Sequence, residues 1–247
     1  MAVRSAETKG WSLLTMAGIV LLALAPSLAG ESQVNSPVRI MVVTGGHAHD
    51  TSFCSLFEGY EDFAPMVYPR DVAFRNDLRP RWDVLVLYDL SAEISEAEQV
   101  NLVNFLESGR GMVVLHHAIA AYNSWAWWSQ EVVGGKYLLK PDGAMPASTY
   151  HVNQEVVYYP LDHPITAGLG SLRLTDETYK GMWVSPRSKP ILKTDHPLSD
   201  AVGAWISPYE KSRVVVIQPG HDRRSHTHPG YRALIRNAIL WAARRIN

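Results

Sequence analysis

The sequence predicts an α/β protein: a single three-layer domain with a mostly parallel central sheet and an irregular edge extension. Three observations carry that prediction. Short apolar runs at Val38–Thr44, Trp82–Tyr88, Gly111–Leu115 and Arg213–Gln218 read as buried strands, because a strand covered on both faces loses polar alternation. Helical patterns separate or follow these runs, and strand–helix–strand order marks a parallel layer with right-handed crossovers. Histidines follow three of the runs: His47 and His49 after the first, His116 and His117 after the third, His221 after the last. Ligands of open α/β sheets sit at the carboxyl ends of the strands, so this placement points to one shared polar pocket.

The elements follow in order. Val38–Thr44 is the first strand, closed by Gly45-Gly46. A helix is expected over Thr51–Phe63, capped by Asp50 or Thr51, with Phe53, Leu56, Phe57 and Tyr60 on one face. Cys54 falls inside it and reads as a small packed hydrophobe rather than a nucleophile. Trp82–Tyr88 is the next strand. Ser95 and Glu98 form a capping-box pair for a helix presenting Val100, Val103, Phe105 and Leu106, which Gly109 ends. Trp125–Val133 reads as a short helix stopped by Gly134-Gly135. His151–Tyr159, Ser171–Tyr179, Pro190–Thr194 and Ala201–Ile206 read as strands toward an edge. Tyr231–Ala243 closes the chain as a helix with Leu234, Ile235, Ala238, Ile239 and Trp241 on its apolar face.

Composition narrows the class. Of 247 residues, 47% are hydrophobic, enough for one sizeable core. The net charge of −1 lacks the basic footprint of nucleic-acid binding, so no nucleic-acid partner is expected. Arg4 and Lys9 precede the apolar run Trp11–Ala25, and Ser27 and Ala29 are small. This pattern predicts a signal peptide over residues 1–29, a linker over 30–37 and the domain over 38–244, in a periplasmic or secreted protein. The alternative is a membrane anchor through residues 11–25, a run short for a span. With Cys54 the single cysteine, an intrachain disulfide and a cysteine-rich zinc knuckle are excluded.

His47 and His49, one residue apart, suit a metal approached from a loop; the alternative is a capped turn with solvent-facing imidazoles. Gly46 permits close approach of backbone to an anion or sugar. Adjacent residues on an extended chain face opposite ways, so one of His116 and His117 is expected in the pocket, His116 by preference. His151 and Glu177 come from separate later segments, each either a ligand or base or an ordinary structural partner. Of Asp176 and Glu177, one faces inward. Arg223, near His221, suits an anionic or polyhydroxylated substrate, whereas His226 and His228 read as loop histidines. Tyr122, Trp125, Trp127 and Trp128 suit either a sugar ring or a packed lid helix. Neither a Gly-x-Ser-x-Gly elbow nor a Gly-x-Gly-x-x-Gly turn is present.

These residues resemble the ThuA-like (trehalose-utilisation) family, whose fold is flavodoxin-like and similar to class I glutamine amidotransferases. The likeness lies in Val43-Thr44-Gly45-Gly46-His47 with His49-Asp50, Gly109–His116 with Gly134-Gly135, and Asp162–Thr166 with Gly168-Leu169. It continues through Asp176–Tyr179, Pro219-Gly220-His221, Pro229, Asn237 and Trp241. The family is associated with sugar utilisation, and some members resemble enzymes acting on 3-keto-glycosides with a divalent metal. Carried onto this chain, its polar positions are His47, His49, His116, Glu177 and His221, while His117 stands where the family usually has Ser. The amidotransferase cysteine nucleophile is absent.

Both lines lead to one expectation: a metal-assisted lyase or hydrolase acting on keto-sugars or 3-keto-glycosides, with a small-molecule carbohydrate as partner. A Zn, Mn or Co ion would be held from among His47, His49, His116, His151, Glu177 and His221. His116, His221 and Glu177 are the expected catalytic residues. Gly46, His117, Tyr122, Trp125, Trp128 and Arg223 are expected to meet substrate. The alternatives are a non-catalytic carbohydrate-binding or accessory protein, and a metallohydrolase of another exported substrate.

Overall fold

The computed structural model describes residues 36–247 together with Met1 and Ala2. Residues 3–29 of the expected signal peptide, including the 11–25 run, and 30–35 of the linker lie outside the described residues.

The chain runs through β1 (Val38–Gly45), a 3₁₀ turn (Thr51–Leu56), β2 (Phe63–Pro69), α1 (Arg70–Ala73) and β3 (Val84–Asp89). Next come α2 (Glu96–Glu107), β4 (Gly111–Leu115), a 3₁₀ turn (His116–Ala120), a π-helical turn (Trp128–Val133) and β5 (Gly135–Lys136). The remainder comprises β6 (Thr149–Pro160), β7 (Leu172–Lys180), β8 (Trp183–Val184), β9 (Lys189–Lys193) and β10 (Val202–Ile206). It ends with β11 (Val214–Ile217), α3 (Arg223–His226) and α4 (Pro229–Ala242).

The large sheet has the order β2-β1-β3-β4-β11-β10-β9-β6-β7, and β5 pairs with β8 separately. From β2 to β11 every pairing is parallel. From β11 to β7 every pairing is antiparallel.

The period of two assigns the core to two faces. Ile40, Val42, Val84, Val86, Val113, Leu115, Val215 and Ile217 pack with Leu234, Ile235, Ala238 and Ile239 of α4. Met41, Val43, Leu85, Leu87, Met112, Val114, Val214 and Val216 pack with Leu102, Phe105 and Leu106 of α2 and with Trp128 and Val132. Fully burying one such Val, Leu or Ile is worth about 1.5–3 kcal/mol, so the layer order is strongly specified. α4 also lies close to β4: a Cβ on Gly111 would sit 2.2 Å from the Ala242 carbonyl oxygen. The Ser95–Glu98 capping box that starts α2 is present in both directions.

Four expectations are corrected. Thr51–Phe63 is a single 3₁₀ turn capped by Asp50, not a longer helix, and Gly59 at φ +80 breaks the segment. The strand β2 that follows was not foreseen, because as an exposed edge strand with Pro65 and Pro69 it lacks a buried alternation. Cys54 is exposed instead of packed. The irregular edge extension is antiparallel sheet continuous with the central one, with twelve residues in β6 and nine in β7 and register slips within β6 and β10.

That antiparallel half positions the site. In hydrogen-bonded order β7 lies four strands beyond β11. Yet Gln218 Nε2 donates to the Glu177 carbonyl at 2.9 Å, and Gly220 N donates to Asp176 Oδ2 at 2.7 Å. The antiparallel strands therefore curl back, bringing β7 over the carboxyl end of β11.

Candidate active site

Three parallel strands and one antiparallel strand converge here. β1 ends in the Gly45–His47 loop, β4 in the His116–Ala120 turn, and β11 in the loop to His221, while β7 carries Glu177. Together they line a cavity of about 450 Å³. Its polar side is His47, His116, His117, Glu177, Tyr179 and His221. Leu90, Ala120, Tyr137, Leu139, Tyr150 and Val152 form the rest.

The tightest group is His116, Glu177 and His221. One ligand atom from each lies within 4.8 Å of the others. His116 Nε2 is 3.2 Å from His221 Nδ1 and 3.5 Å from Glu177 Oε1, and His221 Nδ1 is 3.7 Å from Glu177 Oε2. Metal–ligand bonds of about 2.0–2.2 Å in a tetrahedral site set ligand atoms about 3.3–3.6 Å apart, so the spacing fits one divalent ion. The donor set of two imidazoles and a carboxylate suits such an ion as well.

The tautomers agree with that fit. His116 Nδ1 lies 2.7 Å from the Gln218 carbonyl, which can only accept, so Nδ1 carries the proton and Nε2 presents a lone pair to the cluster. A second hydrogen bond of this kind is how ligating imidazoles are oriented. Burial works against ionisation of Glu177, but the neighbouring His116 and His221 hold its carboxyl below the ordinary value. His116 also has φ 48, a left-handed conformation unusual for a residue with a Cβ. Such strain clusters at functional sites.

The surrounding residues are rigidly held. Asp176, fully buried, accepts from Glu177 N at 2.8 Å, Gly220 N at 2.7 Å, His221 N at 2.9 Å and Ser225 Oγ at 2.8 Å. The Tyr179 hydroxyl is 3.1 Å from His116 Nε2, and its ring stacks on His116 at 5.0 Å. Burial raises the Tyr179 phenol well above its ordinary value, so it is a neutral donor. His226, fully buried, donates from Nε2 to the Gly220 carbonyl at 2.9 Å, and Ser52 Oγ lies 2.9 Å from its Nδ1.

The expected residues divide. Both His116 and His117 line the cavity, correcting the expectation of one, because they start a 3₁₀ turn instead of continuing the strand. His117 Nε2 donates to the Tyr88 carbonyl at 3.1 Å. Burial and the neighbouring His116 push its imidazole down to about 2, so it stays neutral. His47 stacks on His117 with ring centres 4.8 Å apart and stands edge-on to His221 at 6.4 Å, in the cavity but outside the tight group.

Others lie elsewhere. His49 is exposed, edge-on to Phe53 and Tyr88, and is not among the cavity residues. His151 alternates to the far side of β6 from Tyr150 and Val152, with Nε2 3.3 Å from Thr149 Oγ1. Gly46 (φ +72) serves a close approach of backbone: a Cβ there would sit 1.9 Å from the Leu90 carbonyl oxygen. Tyr122 is buried and donates to Asp89 Oδ2 at 2.6 Å, and Trp128 is core. Trp125 and Trp127 line a separate groove along α2. Arg223 is exposed at the start of α3 and outside the cavity. The aromatic group thus packs on the domain because Trp128 and Tyr122 fill its core instead of facing the histidines. Asp176, Tyr179, Gln218 and His226 were missed as site residues, and only the Asp176–Tyr179 motif signalled any of them.

A family model described as ThuA, trehalose utilisation, matches residues 39–242. Among solved structures, a ThuA-like protein from Parabacteroides merdae ATCC 43184 is similar at 17% identity and TM-score 0.74, over 84% of this chain and 90% of that one. A ThuA-like protein from Bacteroides uniformis ATCC 8492 is similar at 18% identity and TM-score 0.65, over 84% of this chain and 92% of that one. A β-galactosidase from Rahnella sp. R3 matches at 10% identity and TM-score 0.55, over 83% of this chain but 31% of its own. At these identities the likeness is one of fold. No protein with a curated description matches the chain.

Proposed function

The chain belongs to the ThuA trehalose-utilisation family, and from that premise we propose that it is a metal-assisted lyase or hydrolase acting on keto-sugars or 3-keto-glycosides. Family membership links it to carbohydrate metabolism. The parallel order β2-β1-β3-β4-β11 supports the finer flavodoxin-like reading of its fold. The observation that carries the activity is the convergence of His116, Glu177 and His221 from three separate segments.

His116, Glu177 and His221 would hold a divalent ion such as Zn, Mn or Co. Bound there, it would supply Lewis-acid polarisation of a ketone oxygen. The protein's own groups do the rest. A 3-keto group acidifies the C2 proton of a sugar, and a base must take it. With His116 and His221 assigned to holding the ion, that role falls to His47. Its Nδ1 is 2.6 Å from the Ala48 carbonyl and donates to it, which leaves the Nε2 lone pair. As the C2–H pair becomes the C1–C2 double bond, the C1–O bond breaks and the substituent leaves as an alkoxide that takes up a proton. The Tyr179 phenol, a neutral donor beside His116, stabilises negative charge developing on the sugar oxygen.

A non-catalytic accessory role is favoured by one observation, that the fold recurs as a part of longer β-galactosidases. The buried, mutually oriented cluster argues for chemistry instead. Elemental analysis of the purified protein and of His221→Ala, with turnover of a 3-keto-glycoside, tests the proposal. Near-stoichiometric divalent metal, weakened in the variant, and release of the aglycone are expected. A metal-free protein that gains no activity with Zn²⁺, Mn²⁺ or Co²⁺ would defeat it.

A further inference from the structure

The apolar part of the cavity wall differs from what a second sugar needs. Tyr150, Val152 and Leu139 are 61%, 47% and 55% exposed, and all three lie at this one cavity. Leu139 and Val152 offer no side-chain hydrogen-bonding group. The Tyr137 hydroxyl is already committed to the Ser148 carbonyl at 3.2 Å. The Tyr150 hydroxyl is the one further polar group here, so most sugar hydroxyls entering would lose water without gaining equivalent partners.

Strand register ties this wall to the polar centre. In the β6/β7 pair, Tyr150 stands directly opposite Tyr179. The register slips between His151 and Gln154, which sets Val152 and Asn153 against Glu177. A bulge of this kind re-aims side chains beside a site. Asn153 takes φ 57, and its Oδ1 accepts from Arg224 of α3 at 2.8 Å, so the bulge is anchored to the helix that follows His221. The Tyr137 ring meets Tyr179 edge-on at 4.9 Å, and Tyr179 in turn stacks on His116. An aromatic strip therefore runs from the reacting centre out to the apolar wall.

We propose that Tyr137, Leu139, Tyr150 and Val152 form a leaving-group subsite for an apolar, aromatic ring, so that the substrates are aryl glycosides rather than disaccharides. The proposal rests on the carbohydrate reading of the site. A substituent at C1 that leaves the polar centre across the β7-to-β6 register crosses Tyr150 and Val152. Its ring buries apolar surface there, and the sugar keeps its hydroxyls among the histidines.

The test is ligand-observed saturation-transfer NMR and titration with phenyl glucopyranoside, methyl glucopyranoside and a glucose disaccharide, in both anomers. The wild-type protein is expected to bind the phenyl glycoside about tenfold more tightly than the other two, with transfer to ring and sugar protons. The exposed double variant Tyr150→Ala, Val152→Ser is expected to bring phenyl affinity down to the methyl level while circular dichroism is unchanged. Equal affinities for the three ligands, or an unaltered double variant, overturn the subsite. Sugar contacts that persist in that case leave the carbohydrate reading standing. Absence of contact with any glucoside overturns both. A double variant that turns a dimer into a monomer in light scattering identifies the wall as a self-interface and also overturns the proposal.

Discussion

The Asp176 carboxylate accepts the backbone N–H of His221 at 2.9 Å across 45 residues of sequence. Through it the loop after β11 is registered against β7, whose next residue is Glu177. Asp176 thereby sets the separation of two members of the cluster without entering the cavity. The buried carboxylate is satisfied by four donors, and removing it strands them.

Asp176→Ala is expected to lose on the order of 3 kcal/mol in urea unfolding, because a buried charged network is broken at one partner. Cobalt titration of the refolded variant should also show divalent-ion affinity about ten- to a hundredfold lower. Wild-type stability and affinity would show that the carboxylate positions nothing.

Tyr179→Phe removes the phenol 3.1 Å from His116 Nε2 and keeps the ring stacked on that imidazole. Turnover on a 3-keto-glycoside is expected to fall about a hundredfold, with unfolding midpoint nearly unchanged. An unchanged kcat removes Tyr179 from the chemistry.

Asp89 gives the fold a defined pH dependence. Burial pushes its carboxyl up from 3.8 to about 6, against the Tyr122 hydrogen bond and the charge of Arg70. A raised carboxyl contributes stability that is complete below its unfolded value and is lost as pH rises through the folded one. Relative to Asp89→Asn, the wild type should therefore lose about 2 kcal/mol between pH 4 and pH 7. Parallel urea curves for the two proteins across that window would count against it.

Gly46→Ala places a Cβ 1.9 Å from the Leu90 carbonyl oxygen at φ +72. Strain and clash together are expected to cost about 2 kcal/mol or more, read as a lowered Tm. Tm equal to wild type would mean that the His47 loop is free to move away from Leu90.

Mass spectrometry of the protein from an exporting host is expected to find a mature chain that starts at Gly30. A chain retaining residues 11–25 and sedimenting with membranes would identify the segment as an anchor instead.

The strands and layers were legible because they are written locally. Val38–Thr44 and Gly111–Leu115 are apolar at consecutive positions, which is the signature of burial on both faces, and Ser95 with Glu98 starts a helix from four residues alone. The carboxyl-edge rule then pointed to His47, His116 and His221, which line one cavity. β2 was hidden since an edge strand needs no alternation. What only tertiary structure decided was the partnership. Glu177 reaches His116 and His221 because β7 curls back over β11, a contact between segments dozens of residues apart that no local pattern encodes. The same holds for His226, buried by packing against Tyr88 and Gly220, for His49, which stays outside the cavity that His47 two residues earlier lines, and for His151, which stays outside it between Tyr150 and Val152. Backbone period sets which way a side chain points. Sheet curvature sets what it meets.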